Sequence, residues 1–376
     1  MKENLPVALF AANRGYALSN SRKGLIQKFL NANWRVVLAT ADDDHAQDLV
    51  RLGAELEPVD FDRGGLSVLS DVLAYRRMSQ IYRAYRPVMA HHFNAKPVIA
   101  GTLAARRVLK GDARVFNTIT GLGHAFVEGG MTAWLAGMGY RFALPHAEAT
   151  VFQNSDDRDL FLRSAWLEES KARLILGSGV DINRFDKVDR TGRDAAPVIV
   201  MIGRLLRQKG IPEFVEVASR IHESWPDARF LLVGEEDPSH PDAVSSVWIH
   251  AQQSIEYLGQ LADVAPILQE ADLLLFPSYY REGLPRVVME AAATGLPTIG
   301  FEVPGVREAI RNGVTGYLCP DRDVDALEQR VLELLENPER RVVMGKAARS
   351  LAEKEFDIES IQQQYISLYR EAQVSI

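Results

Sequence analysis

Apolar positions along this chain recur in two alternating rhythms. Short runs of consecutive apolar residues mark strands buried on both faces, and between them apolar residues recur three and four apart, the helical spacing. In the first half the runs fall at 6–11, 35–40, 87–91, 114–117, 149–153 and 172–176, with helices predicted over 20–31 and 97–109. A polar stretch, 177–197, reads as a linker. The rhythm restarts with strands at 198–202, 229–233, 255–258, 271–278, 297–301 and 316–319. Helices are expected at 211–224, 262–270 and from 325 to the end. Such alternation predicts parallel α/β sheets. We expect two doubly wound domains facing one another across a cleft: residues 1–185, residues 186–359, and a C-terminal helix from about 360 that can pack back on the first domain.

Length supports that division, because 376 residues exceed one ordinary core. The first apolar run is short and meets Asn13-Arg14 at once, so it reads as a strand and not as a signal peptide. The uncharged stretches 115–127 and 129–140 fall short of a membrane span. A single cysteine, Cys319, cannot form an internal disulfide, and a cytoplasmic protein is expected. Through Lys187 the chain carries 24 Lys and Arg against 20 Asp and Glu, net +4; the remainder carries 19 against 30, net −11. That balance argues against nucleic-acid binding, which wants a strongly basic face. It is compatible with peripheral contact between the first half and an anionic membrane.

The chemistry concentrates in two strand-to-helix loops of the second half. Glu282-Gly283-Leu284-Pro285 leaves the apolar run 271–278, and Glu290 follows one to two turns into a helix opened by Pro285. The carboxyl ends of parallel strands are where ligands bind. Two carboxylates there suit sugar hydroxyls, and helix N-terminal amides suit phosphate. Gly203-Arg204-Leu205-Leu206-Arg207-Gln208-Lys209-Gly210 stands at the matching place after 198–202. Gly203 permits a tight turn, and Arg204 with Lys209 favours a diphosphate.

Gly-Arg-x4-Lys-Gly followed by Glu-x7-Glu resembles the signature of retaining glycosyltransferases of family 4, which have the GT-B fold. Gly179-Val180-Asp181 with Phe185, Leu258-Gly259-x3-Asp263-Val264, Pro277-Ser278, and 305–308 with Gly313 and Gly316 continue the likeness. The resemblance implies that Arg204 and Lys209 hold the donor diphosphate, Glu290 the ribose hydroxyls and Glu282 the donor sugar. It implies that Gly259 and Leu261 face the base, and that amides near Gly283 and Leu284 meet the donor sugar. Gly15, in a loop with one glycine where the family commonly has two, is expected near the donor phosphate. The family often places a histidine in the cleft at a strand end, so His91 or His92 is expected to meet a sugar hydroxyl or orient the acceptor. Lys96 is expected at an acceptor phosphate, and Thr120 and His124, on and beside the loop 118–123, are further acceptor candidates.

The segments 118–123 with Phe126, 151–154 and 177–181 resemble a narrower branch. That branch extends polyprenyl-diphosphate-linked sugars in bacterial surface polysaccharide or glycan assembly, often from UDP-N-acetylhexosamines. A UDP-sugar as donor substrate with no cofactor, and a lipid-linked acceptor at the inner membrane, are what it implies. Two segments bear on membrane contact. The Tyr/Arg stretch of Tyr75, Arg76, Arg77, Tyr82, Arg83, Tyr85 and Arg86 has the composition of a membrane interface. Met131, Trp134, Leu135 and Met138 share one helical face, expected to pack in the core. Asp42-Asp43-Asp44-His45 contains Asp-x-Asp, a metal pattern elsewhere, but it follows a strand and opens a polar segment, where Asp is expected as a helix cap. No metal is expected. A sugar-nucleotide epimerase of the same fold and a non-catalytic nucleotide-sugar-binding scaffold remain alternatives. A nicotinamide oxidoreductase would want a third glycine after Gly121-x-Gly123.

Overall fold

The computed structural model describes residues 5–62, 67–123, 126, 130–192, 195–238 and 240–376. The chain divides into two compact units, Met1–Ser178 with Ile361–Ile376, and Gly179–Ser360. The boundary therefore falls ahead of the expected 185/186, and the last residues belong to the first unit.

Unit 1 runs β1 (Val7–Ala11), α1 (Gly15–Asn31), β2 (Arg35–Thr40), α2 (Asp44–Arg51), β3 (Glu55–Pro58), α3 (Val68–Tyr85), β4 (Met89–Phe93), α4 (Ala95–Leu109), β5 (Arg114–Ile119), α5 (Gly130–Ala143), β6 (Ala149–Phe152), α6 (Ser155–Arg163) and β7 (Ala172–Leu174). Its strands lie in the order β3-β2-β1-β4-β5-β6-β7, all parallel. Unit 2 runs β8 (Val198–Ile202), α7 (Ile211–Ile221), β9 (Arg229–Val233), α8 (Ser246–His250), β10 (Glu256–Tyr257), α9 (Ala265–Glu270), β11 (Leu273–Phe276), α10 (Arg286–Ala293), β12 (Thr298–Phe301), α11 (Val306–Ala309), β13 (Gly316–Cys319), α12 (Val324–Glu336) and α13 (Pro338–Leu351). Its parallel order is β10-β9-β8-β11-β12-β13. A last helix, α14 (Ile358–Glu371), puts Tyr365 and Tyr369 into the core of unit 1.

Central strands such as β1 and β11 are buried at every position, which is why they read as unbroken apolar runs. β3 has no such run. It is an edge strand whose Glu55 accepts from Arg35 Nε at 2.8 Å and whose Glu57 accepts from the Tyr85 hydroxyl at 2.7 Å. Asp43 caps α2, accepting from Ala46 N at 2.9 Å, as expected of that acidic run.

The Tyr/Arg stretch is corrected in part: it lies on α3 and its C-cap Arg86, with Tyr82 fully buried and Arg77 paired to Glu57, while Arg76, Arg83 and Arg86 are exposed. The α5 stripe is likewise corrected, because Met131, Trp134 and Leu135 are 70%, 59% and 47% exposed. Helical spacing is common to both segments, and only the neighbours decide which face is covered.

Candidate active site

In each sheet the strand order reverses beside a central pair, β1/β4 in unit 1 and β8/β11 in unit 2. Such a switch point opens a crevice at the carboxyl ends of the strands. The two motifs of unit 2 leave β8 and β11, the adjacent pair. Their loops are stitched together by the Gln208 carbonyl, which accepts from Tyr279 N at 3.0 Å, Tyr280 N at 2.9 Å and Ser278 Oγ at 3.4 Å. Gly210 lets them touch, since its φ is +84° and a Cβ there would fall on the Pro277 carbonyl.

This stitching brings Lys209 against Glu282. The ammonium and the carboxylate pair, with side-chain exposures of 12% and 17%. Lys209 Nζ also lies 5.0 Å from the Tyr280 ring centroid. Arg204 is 6.0 Å from the same ring and 3.4 Å from Asp237 Oδ2. Two cations thus stand about one aromatic ring, each beside a carboxylate.

Glu290 is buried on α10 and accepts from Arg286 Nε at 2.7 Å. Burial pushes its carboxyl above the usual range, and Arg286 pulls the other way. Pro285 is the N-cap of α10 and not its first helical residue. Gly283 and Leu284 are buried in the connecting loop. Gly259 has φ +69° and open space where a Cβ would stand, and its carbonyl accepts from Gly234 N at 2.9 Å; Leu261 is half-buried. Gly203 also faces open space.

Several residues of this site carry roles that the motifs alone do not assign. Arg286 holds Glu290 at i,i+4, a spacing visible in sequence. Arg184 pairs with Asp263 at 2.9 Å, and both act on the Glu290 charge. Gly305 supports the Glu282 loop: with φ +84°, a Cβ would lie 2.5 Å from the Gly283 carbonyl and 2.8 Å from that of Glu282. Gly305→Ala is expected to cost about 1–3 kcal/mol of stability and to lower turnover. Urea unfolding and initial rates check both, and unchanged values would sink the supporting role.

In unit 1 the structure overturns the expected histidine roles. His91 and His92 point to opposite faces of β4, and helices cover both faces, so each is fully buried. His91 bonds Tyr369 Oη at 2.5 Å and Thr118 Oγ1 at 2.8 Å; His92 bonds Tyr82 Oη at 2.6 Å and Asn117 Oδ1 at 2.9 Å. Burial lowers the His92 pKa to about 4 and holds His91 well below its ordinary value, where the Arg22 charge adds to the effect. Neutral, bonded at both nitrogens and shut from solvent, neither can meet a substrate. Gly15 is corrected too. Its amide donates to Asp43 Oδ2 at 3.0 Å, and the space a Cβ would take is filled by Asp43 and Ala46, so it offers no amide to a phosphate.

Lys96 pairs with Asp71 at 2.9 Å and Asp62 at 3.6 Å. Thr120 Oγ1 accepts from Asn94 Nδ2 at 2.8 Å. Asn94 itself has φ +70° and ψ 161°, a region costly for any residue but glycine. It stands at the β1/β4 switch point with Lys96 and Asn13. His124 lies outside the described residues. Among the described residues no group of three or more His, Cys, Asp or Glu could hold a metal ion.

Residues 196–337 match the family described as glycosyl transferases group 1, and residues 7–154 match the glycosyl transferase 4-like family. The solved HepE of Anabaena, in complex with UDP and glucose, superposes with a TM-score of 0.78 at 18% identity, over 97% of this chain and 100% of its own. The chain belongs to the glycosyltransferases with the GT-B fold. Across 96% of its length this glycosyltransferase is 26% identical to the N,N'-diacetylbacillosaminyl-diphospho-undecaprenol alpha-1,3-N-acetylgalactosaminyltransferase of Campylobacter jejuni, covering 97% of that protein. It is 23% identical to the UDP-Gal:alpha-D-GlcNAc-diphosphoundecaprenol alpha-1,3-galactosyltransferase of Escherichia coli, over 78% of each chain. The Lys209–Glu282 pair and Glu290 thus sit at the switch point of a glycosyltransferase domain, and no helix among the described residues is long and apolar enough to cross a membrane.

Proposed function

We propose that this glycosyltransferase is a retaining, metal-independent family 4 enzyme. It moves an N-acetylhexosamine or hexose from a UDP-sugar to a saccharide on a polyprenyl diphosphate, in bacterial surface polysaccharide or glycan assembly, with peripheral contact at the cytoplasmic face of the inner membrane. The observation that carries the reading is that Arg204 and Lys209 follow β8 while Glu282 and Glu290 follow its neighbour β11, with Lys209 paired to Glu282 across the two loops. The choice of acceptor is supported by the names of the two relatives, both of which act on undecaprenyl-diphosphate-linked sugars.

Arg204 and Lys209 supply fixed positive charge to the diphosphate, whose negative charge grows as the bond to the sugar breaks. Glu290 accepts from the ribose hydroxyls. Glu282 orients Lys209 and accepts from the donor sugar. The acceptor hydroxyl oxygen attacks the anomeric carbon on the face that the diphosphate leaves. The new C–O bond forms as the old one breaks, and the hydroxyl proton passes to the departing phosphate oxygen. No protein nucleophile is required.

Glu282→Ala should lower kcat about tenfold or more, with a smaller effect on UDP affinity, because its partner on the substrate is the sugar. Transfer of labelled sugar onto a synthetic polyprenyl-diphosphate acceptor, followed by the anomeric coupling constant of the product, tests the whole reading. Inverted product or release of free sugar alone would refute it, and wild-type turnover in Glu282→Ala would remove that residue's role.

A further inference from the structure

Helix α5 is apolar on every side. Of its fourteen residues one is charged, Arg141 in the last turn, and none is acidic. Its inner face is accounted for by packing. Tyr140 is buried against Phe161, Gly137 leaves room for the Trp166 ring, and a Cβ on Gly139 would lie 2.7 Å from Ile99 of α4. Among the described residues the outer face has no such cover. Met131, Trp134 and Leu135 stand with Phe142, 60% exposed, as one stripe at helical spacing. A helix that is apolar all round is stable where both faces meet apolar surroundings. This chain supplies one of them.

The stripe does not stand alone. The contact between Gly139 and Ile99 sets the first two turns of α5 beyond the start of α4. On the other flank of α4, joined to its first turn by the Lys96–Asp71 pair, α3 opens with Val68, Leu69 and Leu73, all more than half exposed. At the far end of α5 the charge is positive. Arg141 is followed by the turn Leu144–His146, against which Arg106 of α4 bonds His146 and Lys171 Nζ donates to the Pro145 carbonyl at 2.7 Å. The lowered pKa of His146 reflects burial and these two cations.

We propose that the outer face of α5 docks on an anionic lipid surface, with Met131, Trp134, Leu135 and Phe142 entering the interface and Arg141, Arg106 and Lys171 meeting headgroups. A helix of this length presents about 21 Å of apolar stripe. Acyl chains bordered by negative headgroups match both its apolar side chains and its cationic end, and an indole is favoured at that depth. The inference deepens the proposed use of a lipid-linked acceptor, yet it needs neither donor nor acceptor to be tested.

The test is co-flotation of the full chain with phosphatidylglycerol-containing vesicles and with phosphatidylcholine vesicles, at low and high salt. Wild type is expected to float with the anionic vesicles and to be released by salt. The double variant Trp134→Ser, Leu135→Ser should partition at least about tenfold less. It should keep the wild-type thermal midpoint, since exposed side chains contribute little. Arg141→Glu should weaken anionic binding, and Val247→Ser, at a still more exposed apolar position but on unit 2, should leave it unchanged. The proposal is overturned if wild type floats with neither vesicle, or if the double variant floats as wild type does. Light scattering that shows a wild-type dimer dissociated by the double variant would also overturn it, since the face would then join two copies.

Discussion

Lys209→Ala is expected to lower kcat/KM by about 10² to 10³, the cost of removing one preorganised charge that meets developing negative charge in a water-poor site. The effect has two sources in this structure. Lys209 is 12% exposed and bonded to Glu282, so its ammonium is held in place before substrate arrives. Its removal also leaves the Glu282 carboxylate, 17% exposed, as an uncompensated negative charge beside the incoming diphosphate. Repulsion would then add to lost attraction. Lys209→Arg keeps the charge but replaces a compact ammonium with a planar fork, and should recover part of the loss. Initial rates at subsaturating donor measure both variants. A Lys209→Ala enzyme within threefold of wild type would mean that this cation does not face the leaving group.

Glu290→Ala is expected to weaken UDP binding by about ten- to a hundredfold, from the loss of hydrogen bonds to a charged acceptor, worth about 1.5–3 kcal/mol. Thermal stabilisation by a panel of nucleotides reads this directly, because a ligand at about a hundred times its dissociation constant adds about 2.7 kcal/mol. A midpoint shift with UDP or UDP-sugars that disappears in the variant establishes the donor site. An equal shift in wild type and variant would remove Glu290 from it. The pH dependence gives a second readout. Burial raises the Glu290 pKa, so the ionised carboxylate proposed to accept from ribose is lost on acidification at a pH above the ordinary glutamate value. UDP affinity should therefore decline through that window, and Glu290→Gln should abolish the decline. Stability of the free protein runs the other way. A carboxyl with a raised folded pKa adds its stability below the unfolded pKa and loses it as pH rises through the folded one.

How much of the site was legible follows from how local each piece is. The loops carrying Arg204 and Lys209, and Glu282 with Glu290, announce themselves by residue type, spacing and the apolar run before each. Strand-loop-helix placement at a sheet's carboxyl edge is a consequence of local pattern. The Arg286 partner of Glu290 is four residues away and follows from helix geometry. By contrast, the Gln208 carbonyl that binds the two loops, and the Gly305 backbone that braces Glu282, are contacts between segments about 70 and 20 residues apart, and no local pattern encodes them. The buried histidines show the same limit. His91 and His92 lie near the end of a strand, where a polar residue reads as a cleft residue, yet the strand is covered on both faces by α14 on one side and α3 and α4 on the other.

The sequence by itself determined that there are two parallel α/β units and which loops leave the central strands β8 and β11, because strand burial, helix periodicity and turn residues are short-range properties written along the chain. Which apolar faces are covered was decided by the tertiary structure alone. Tyr82 on α3 and Trp134 on α5 both sit in plausible helical stripes, but Tyr82 meets His92 across the core while Trp134 is 59% exposed. Burial depends on what packs against a face, and that neighbour comes from elsewhere in the sequence.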